Sequence, residues 1–356
     1  MQSPDFRCTS FDVVMKMAQL SFKMIPCSAL MVDESQDLTE CQISFICNQS
    51  AIYYTPVYIV GDAVQSIYGF RGAKSKYLQE IDSIFKGQII IRDFKLDKSF
   101  RFDDNIGAIA NILLACKEFS PQTFSDKQTR LLLWQPYRIT GGSEHLGHVE
   151  YTSDISTFSN GFSHPITVIA ATNVALFVCA LNLLALGVDS SSSSSSSSSM
   201  SMSGRCAKLD IKIALNGTGA SSGASRWKGI ESKLREFTDI FIGAKQTLSC
   251  YPWNGADNIT WEKLVKDIEE FELEDLIIII KLVETYGDQT MVKYQFFKEK
   301  VLNRSISLDE ADVILSTVHA AKGMEWDRVM VLGIAFFSLH KSFKIKAYFL
   351  KAYHYY

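Results

Sequence analysis

Two stretches of the chain decide the fold: Ala29-Leu-Met-Val-Asp-Glu-Ser-Gln-Asp-Leu38 and Val57-Tyr-Ile-Val-Gly-Asp62. Each is a short apolar run that ends in acidic residues, which is typical of a buried strand where it leaves a sheet. Similar runs recur at Gln88–Arg92, Asp312–His319 and Arg328–Gly333, and helical stretches lie between them. Strands that alternate with helices predict an α/β fold with parallel sheets.

The composition is that of a chain that can bury a core. Its 356 residues suffice for two domains, and 47% hydrophobic against 21% charged residues excludes a wholly disordered protein. The 36 Lys and Arg residues are balanced by 39 Asp and Glu residues, so the chain as a whole is not basic. Any nucleic-acid binding must therefore come from a local groove. The eight Cys residues form no CxxC pair, and without a secretory leader we expect reduced, intracellular thiols.

Two segments interrupt this pattern. The uncharged stretch Ile166–Val188 is long enough to span a bilayer, but Thr172 and Asn173 favour a buried strand followed by a capped helix that ends at Gly187. Ser190–Ser199 is an unbroken serine run, which buries too little apolar area to offset its chain entropy. We therefore expect no membrane span and a disordered, serine-rich insertion.

Acids at a strand end supply the first candidate chemistry. Asp33 and Glu34 end the first run, at the carboxyl edge where open α/β sheets bind ligands. Phosphoryl hydrolysis needs one carboxylate to hold Mg²⁺ and a second group to orient or deprotonate the attacking water. Adjacent acids supply both roles. The alternative, a strand that simply ends in solvated acids, stays open.

The turn after the second strand adds groups suited to a phosphate and to bases. Gln65 lies three residues after the acid that ends this strand, and it is an uncharged donor for a terminal phosphate. Tyr68, Phe70 and Arg71 follow, and aromatic rings beside a guanidinium form a stacking platform for single-stranded bases. Burial of the two aromatic rings in a core is the alternative.

Two later segments add phosphate-binding candidates. Arg101 precedes an apolar helix, where its guanidinium could bind a phosphate bidentately. A later strand delivers Thr317 and His319 to its carboxyl end. After that strand, Lys322-Gly323 permits close backbone approach to a phosphate. Farther along, Glu325 is suited to accept a hydrogen bond from a sugar hydroxyl.

Taken in order, VDESQDL, GDAVQSIYGFRGA, LDKSFRF and TVHAAKGMEWD resemble motifs II, III, IV and V of UvrD/Rep-type superfamily 1 DNA helicases. The segment SFRFDDNIGAIANILL is most similar to the F-box DNA helicases. The resemblance implies two RecA-like domains, the P-loop NTPase helicase core, with ATP between them and single-stranded or forked DNA across their top. It also implies 3′-to-5′ movement, a role in recombination and replication-fork repair, and a nuclear location. A ubiquitin-ligase adaptor would bind through an F-box region, which is missing from these residues.

The resemblance gives each candidate residue a role by motif position. Asp33 would hold Mg²⁺ and Glu34 would activate water. The nucleotide would be contacted by Gln65 and Arg101 at its γ-phosphate, and elsewhere by Gly323 and Glu325. The DNA would be contacted by Tyr68, Phe70, Arg71, Thr317, His319 and Lys322.

Two motifs of that family are missing from these residues. No GxxxxGK[ST] loop occurs in the sequence, and no arginine-bearing motif VI follows Leu332. Because that loop and its lysine form the main cradle for the β- and γ-phosphates, we expect very weak hydrolysis by this chain. The chain is then a part of a longer protein or a degenerate relative. A non-catalytic protein that binds single-stranded DNA is the alternative.

The expected organisation has five segments. They are the C-terminal part of a first RecA-like domain (1–115), a linker with the start of a second domain (116–188), the disordered insertion (189–225), a helical segment with the rest of the second domain (226–333), and an aromatic, basic tail (334–356).

Overall fold

The computed structural model describes residues 10–74, 90–118, 139–143, 147–152, 165–189, 210–217, 222–249, 258–271, 273–304, 306–332 and 347–352. The chain divides into two compact units. The first unit comprises Met1–Asp97 and Leu114–Gln135, and the second comprises Lys98–Leu113 and Pro136–Tyr356. Arg101 therefore belongs to the second unit, whereas the sequence analysis placed it in the first domain.

The described residues form ten strands and nine α-helices. The strands β1–β10 are Leu30–Val32, Val57–Ile59, Lys98–Ser99, Thr140–Gly141, Gly147–Thr152, Ile166–Ala170, Ile213–Leu215, Val313–Thr317, Arg328–Leu332 and Ala347–Ala352. The helices α1–α9 are Phe11–Leu20, Glu40–Tyr53, Asp104–Glu118, Asn173–Asp189, Ser222–Phe241, Trp261–Glu270, Glu274–Tyr286, Thr290–Phe297 and Val318–Ala321. The shorter turns are the 3₁₀ helices Ser35–Asp37, Ala63–Gln65, Gly69–Arg71, Gly287–Gln289 and Leu308–Glu310, and the π-helix Lys298–Leu302. A mixed α/β fold with parallel sheets is thus confirmed.

The first unit is built on two parallel strands. β1 and β2 pair with Met31 opposite Tyr58, so both strands end at the same edge. Helix α2 begins with a capping box, in which the Thr39 side chain accepts from the Gln42 amide and the Gln42 side chain accepts from the Thr39 amide at 2.8 Å. The small apolar core consists of Ile43 and Cys47, with Leu38, Ile59 and Ile91 packed against them.

The second unit contains a six-stranded sheet in the order β5-β10-β9-β6-β8-β7. β6 runs parallel to β8 and β9, and β7 runs parallel to β8, whereas β10 is antiparallel to both β5 and β9. All five residues of β8 are buried, as expected for a strand covered on both faces. A separate pair of short parallel strands, β3 and β4, lies in the same unit.

Aromatic packing fills the core of the second unit. Phe177 is fully buried, with its ring edge-on to Tyr294 at 5.6 Å and to Phe297 at 5.1 Å between centroids. The buried Tyr294 hydroxyl donates to the Trp227 carbonyl at 2.9 Å, so its polar end is satisfied. The core therefore joins α4, α5 and α8 into one apolar layer.

The stretch Ile166–Val188 is the predicted strand–helix unit, β6 followed by α4. Thr172 caps the helix by accepting from the Ala175 amide at 3.2 Å. The helix continues to Asp189, so the predicted end at Gly187 is wrong. Within the described part of the chain, no helix combines the length and the apolar character needed to cross a membrane.

Four other sequence predictions need correction or comment. The predicted insertion 189–225 is too wide: it includes β7, whose Ile213 is 1% exposed, and α5 begins at Ser222. The serine run Ser190–Ser199 lies outside the described residues. The run Gln88–Arg92, described from Ile90 onward, forms no strand there. The tail contributes β10, because its backbone groups pair with two neighbouring strands.

Candidate functional site

The carboxyl edge of the β1–β2 pair holds the first group of candidate residues. Asp33 and Glu34 follow β1 directly, and Gly61-Asp62 follows β2 with one residue between. The two strand ends are joined by backbone hydrogen bonds, from the Val60 amide to the Val32 carbonyl at 2.8 Å and from the Ser35 amide to the Val60 carbonyl at 3.0 Å. The parallel pairing therefore brings the two acidic strand ends together.

Gln36, which the sequence analysis did not single out, connects these strand ends. It is 1% exposed. Its Nε2 donates to Glu34 Oε2 at 2.7 Å, and its Oε1 accepts from the Asp62 amide at 3.0 Å. The sequence shows only a polar residue two positions after Glu34. Its partner, the Asp62 amide, lies 26 residues away and comes within hydrogen-bonding distance because β1 pairs with β2.

Gly61 provides the room for this contact. A Cβ at that position would lie 2.5 Å from Ser35 Oγ and 2.6 Å from Gln36 Oε1, which is closer than side chains pack. The turn after β1 and the end of β2 therefore approach each other only because residue 61 has no side chain. Ser35 Oγ is buried in this contact and has no hydrogen-bond partner among the described residues.

The turn after β2 carries the other candidates of the first unit. Gln65 is exposed and donates from Nε2 to Asp62 Oδ2 at 2.9 Å. The Arg71 guanidinium lies over the Tyr68 ring, 5.2 Å from its centroid, and the two form a cation–π pair. Phe70 lies between them in the 3₁₀ helix Gly69–Arg71. The structure thus brings Gln65 to the acidic edge and pairs Tyr68 with Arg71.

In the second unit, the end of β8 holds Thr317 and the residues that follow it. Thr317 caps the short helix α9 by accepting from the Ala320 amide at 3.3 Å. His319 lies in that helix, and Lys322 ends it. Gly323 has φ +79°, a conformation that side chains disfavour, so the turn to β9 requires glycine there.

Arg101 and Glu325 form an ion pair in this unit. Arg101 Nε lies 2.6 Å from Glu325 Oε1, and the two side chains are 68% and 63% exposed. Both residues were predicted to contact the nucleotide, one at the γ-phosphate and the other at a sugar. The structure brings them into contact with each other, so a phosphate bound to Arg101 would compete with the Glu325 carboxylate.

A small polar pocket at the carboxyl ends of β6, β7 and β8 was also missed by the sequence analysis. Its polar lining comes from Asn173, Asn216, Arg226 and Thr317. Asn216 is held in place by donating to Ser316 Oγ and to the Ala320 carbonyl, each at 3.0 Å. No local pattern marks Asn216 or Arg226, because both lie in or next to the segment Asn216–Ser225, which consists mainly of glycine, serine and other small residues.

The acidic edge has the donors that Mg²⁺ prefers. Magnesium is commonly held by one or two carboxylates together with waters and phosphate oxygens, and Asp33 and Glu34 are exposed carboxylates at a strand end. Asp33 Oδ1 accepts from the Glu34 amide at 2.8 Å, which fixes the orientation of the first carboxylate. Among the described residues no group of three or more His, Cys, Asp or Glu side chains forms a cation cage.

The fold and this edge define a class: an α/β protein whose polar site lies at the carboxyl ends of parallel strands. Comparison with known proteins narrows the class. Residues 16–86, which include both strand ends and the following turn, match the UvrD/REP helicase N-terminal domain.

Two curated relatives extend this match. The chain is 24% identical over 305 residues to F-box DNA helicase protein 1 of Schizosaccharomyces pombe, an alignment that covers 85% of this chain and 28% of that protein. It is 39% identical over 85 residues to DNA helicase II of Escherichia coli, covering 24% of this chain and 11% of that protein. The chain thus spans under a third of the length of either relative, and its similarity to the UvrD/REP helicase N-terminal domain lies in residues 16–86.

Proposed function

We propose that this chain is part of an ATP-dependent DNA helicase of the UvrD and F-box type, which moves 3′ to 5′ on single-stranded DNA. The proposal rests chiefly on one observation. Two acids and a glutamine, Asp33, Glu34 and Gln65, lie at one edge of a parallel strand pair and are linked by hydrogen bonds through Gln36 and Asp62. The match of residues 16–86 to a helicase domain covers this whole group.

In this function the first unit supplies groups for hydrolysis. Asp33 would hold Mg²⁺, which when bound neutralises negative charge on the phosphates. Glu34 would orient and deprotonate the attacking water, since a carboxylate at hydrogen-bonding distance is a suitable general base. Gln65, an uncharged donor, would contact the γ-phosphate, and its present bond to Asp62 keeps it at the same edge.

Considered by itself, the second unit carries the other residues that the helicase motifs assign to nucleotide and DNA. Arg101 would bind the γ-phosphate, with Gly323 and Glu325 around the rest of the nucleotide. Single-stranded or forked DNA would be bound by Tyr68, Phe70 and Arg71 in the first unit and by Thr317, His319 and Lys322 in the second. The Arg71–Tyr68 pair supports the DNA assignment, because a cation beside an aromatic ring is the usual platform for stacked bases.

By resemblance to the F-box DNA helicases, the protein would act in recombinational and replication-fork repair in the nucleus, with a ubiquitin-ligase adaptor as a partner. The 24% identity to an F-box DNA helicase supports the assignment to this type of helicase.

The 356-residue chain alone would hydrolyse ATP very weakly, because no GxxxxGK[ST] loop occurs in its sequence. The same fact favours a second candidate function, a non-catalytic protein that binds single-stranded DNA. The two candidates share the stacking platform and differ in whether nucleotide turnover responds to DNA.

The deciding experiment measures ATP turnover by the full-length natural protein with and without single-stranded DNA, and then by the 356-residue chain. We expect DNA-stimulated turnover in the first and little in the second. Oligonucleotide binding is measured in parallel at two salt concentrations, since phosphate contacts make it salt-dependent. Salt-sensitive binding without turnover in the full-length protein would establish the second candidate instead. Strong turnover by the 356-residue chain would overturn the argument from the missing loop.

A further inference from the structure

Gln36 is a buried amide whose two ends are both occupied. The amide is oriented unambiguously, because only its oxygen can accept from the Asp62 amide, and its nitrogen is therefore the group that faces Glu34. The short donor distance of 2.7 Å to Glu34 Oε2 fits a bond to an ionised carboxylate.

The same residue reaches the turn after β2 by its main chain. Ser66 Oγ donates to the Gln36 carbonyl at 3.2 Å. The Asp62 carboxylate accepts from the Val64 amide and from Gln65 Nε2, each at 2.9 Å. Gln36 therefore contacts three points: the carboxylate of Glu34, the start of the turn that carries Gln65, and the residue that leads towards Tyr68.

The backbone at Glu34 makes such a contact necessary. Glu34 has φ 52° and ψ 37°, a left-handed conformation that is uncommon for a residue with a long side chain. A strained backbone of this kind persists only when its surroundings fix it. Two contacts hold the backbone at Glu34 in this conformation. One is the hydrogen bond from the Ser35 amide to the Val60 carbonyl, and the other is the bond from the Gln36 side chain to Glu34.

We propose that Gln36 is a positioning residue for ATP hydrolysis. It holds the Glu34 carboxylate in register with Asp62 and Gln65, so that the group that activates water and the group that contacts the γ-phosphate keep a fixed separation. This proposal rests on the proposed function. It adds that one side chain, Gln36, connects the turn after β1 with the turn after β2.

Two substitutions at this position separate the contributions of the two amide ends. Gln36→Met keeps the length of the side chain and removes both hydrogen bonds. Gln36→Glu keeps the acceptor for the Asp62 amide and places a second carboxylate against Glu34. We expect either change to lower kcat for ATP by about 10-fold to 100-fold in the full-length natural protein, because small misplacements of a catalytic group have effects of this size. The KM for ATP should change by less than about threefold, since no phosphate contact is removed.

Gln49 provides a matched control. It is also 1% exposed, and its amide also makes two bonds of 2.8 Å, to the Ile25 amide and the Lys23 carbonyl. Gln49→Met therefore removes a comparable buried amide from the same unit, away from the acidic edge. We expect it to lower stability as Gln36→Met does and to leave kcat unchanged.

Hydrogen exchange at the Asp62 amide tests the geometry without ATP. We expect exchange at this amide to accelerate about tenfold in Gln36→Met, the effect of losing one hydrogen bond, and to stay near the parent rate in Gln36→Glu. Unchanged exchange in Gln36→Met would overturn the proposed link. Equal losses of kcat in the Gln36 and Gln49 variants would overturn the positioning role. Absence of turnover in the unmodified full-length protein would instead overturn the helicase function itself.

Discussion

The two compact units are stabilised by different kinds of contact. In the second unit, rings such as Phe177 and Phe297 are fully buried and pack against each other. In the described part of the first unit the apolar core is small, and the buried polar residues Gln36 and Gln49 cross-link its strands and helices. In the first unit, the hydrogen bonds that stabilise the fold therefore also hold the candidate residues in place. The candidate residues of the second unit lie instead at the edge of an apolar core.

The largest effect on stability is expected from Phe177→Ala. Truncating a fully buried aromatic ring costs about 3–5 kcal/mol, because apolar contacts are lost and a cavity remains. Thiol labelling can assign this loss to one unit, since burial raises the pKa of Cys179 in the second unit to about 12 and that of Cys47 in the first to about 11. Both thiols should react only after opening, because the thiolate is the reactive form.

We expect Phe177→Ala to speed labelling of Cys179 and to leave labelling of Cys47 nearly unchanged. Phe271→Ala is the control, because Phe271 is 59% exposed and its removal leaves no large cavity. Faster labelling of both thiols in Phe177→Ala would show that the two units unfold together and would break the comparison.

Glu34→Gln should have the largest effect on activity. It removes the base proposed to activate water and keeps an oxygen that can accept from Gln36 Nε2, so the turn should stay intact. General-base catalysis contributes about 10²–10⁴-fold, and turnover by the full-length natural protein should fall by that factor. Binding of Mg·ATP, measured by equilibrium titration, should be largely retained. Equal losses of binding and turnover would contradict the assigned role.

The sequence was most informative where structure is decided locally. The apolar runs that became β1, β2, β6, β8 and β9 were predicted because continuous apolar residues are typical of strands in parallel sheets. The expected burial holds for β6 and β8 but is wrong for β1 and β2, where Met31 is 80% and Tyr58 is 58% exposed. β7 and β10 were not predicted. β7 lies between stretches of small residues, and β10 depends on pairing with strands that are distant in sequence.

In the candidate site, too, some residues could be predicted from local patterns and some contacts could not. Asp33, Glu34 and Gln65 could be named from local patterns, because acids and amides at strand ends are visible in the sequence. The contact from Gln36 to Asp62 and the ion pair of Arg101 with Glu325 could not. Both depend on register and packing between segments that no local pattern relates.

Gly61→Ala should have an intermediate effect that is confined to the first unit. The added methyl group would overlap Ser35 Oγ and Gln36 Oε1, so the turn after β1 must shift. Overpacking of this kind costs about 1–3 kcal/mol, and displacement of Gln36 should also lower turnover. Gly69→Ala is a matched control in the same unit, because nothing lies within 4 Å of a Cβ there. Similar losses of stability in the two variants would show that the close approach at Gly61 is unimportant.

Glu325→Gln should have the smallest effect on stability. The Arg101–Glu325 pair is short but mostly exposed, and such pairs contribute about 0–1 kcal/mol. The unfolding free energy should therefore change by less than about 1 kcal/mol. Inorganic triphosphate is an informative ligand for this variant, because it has no sugar for Glu325 to contact. Its affinity for the full-length natural protein should rise in Glu325→Gln, since the competing carboxylate on Arg101 is gone. An affinity that falls would show that the carboxylate holds Arg101 in its binding position, and the exposed pair would then resemble the Glu34–Gln36 contact in function.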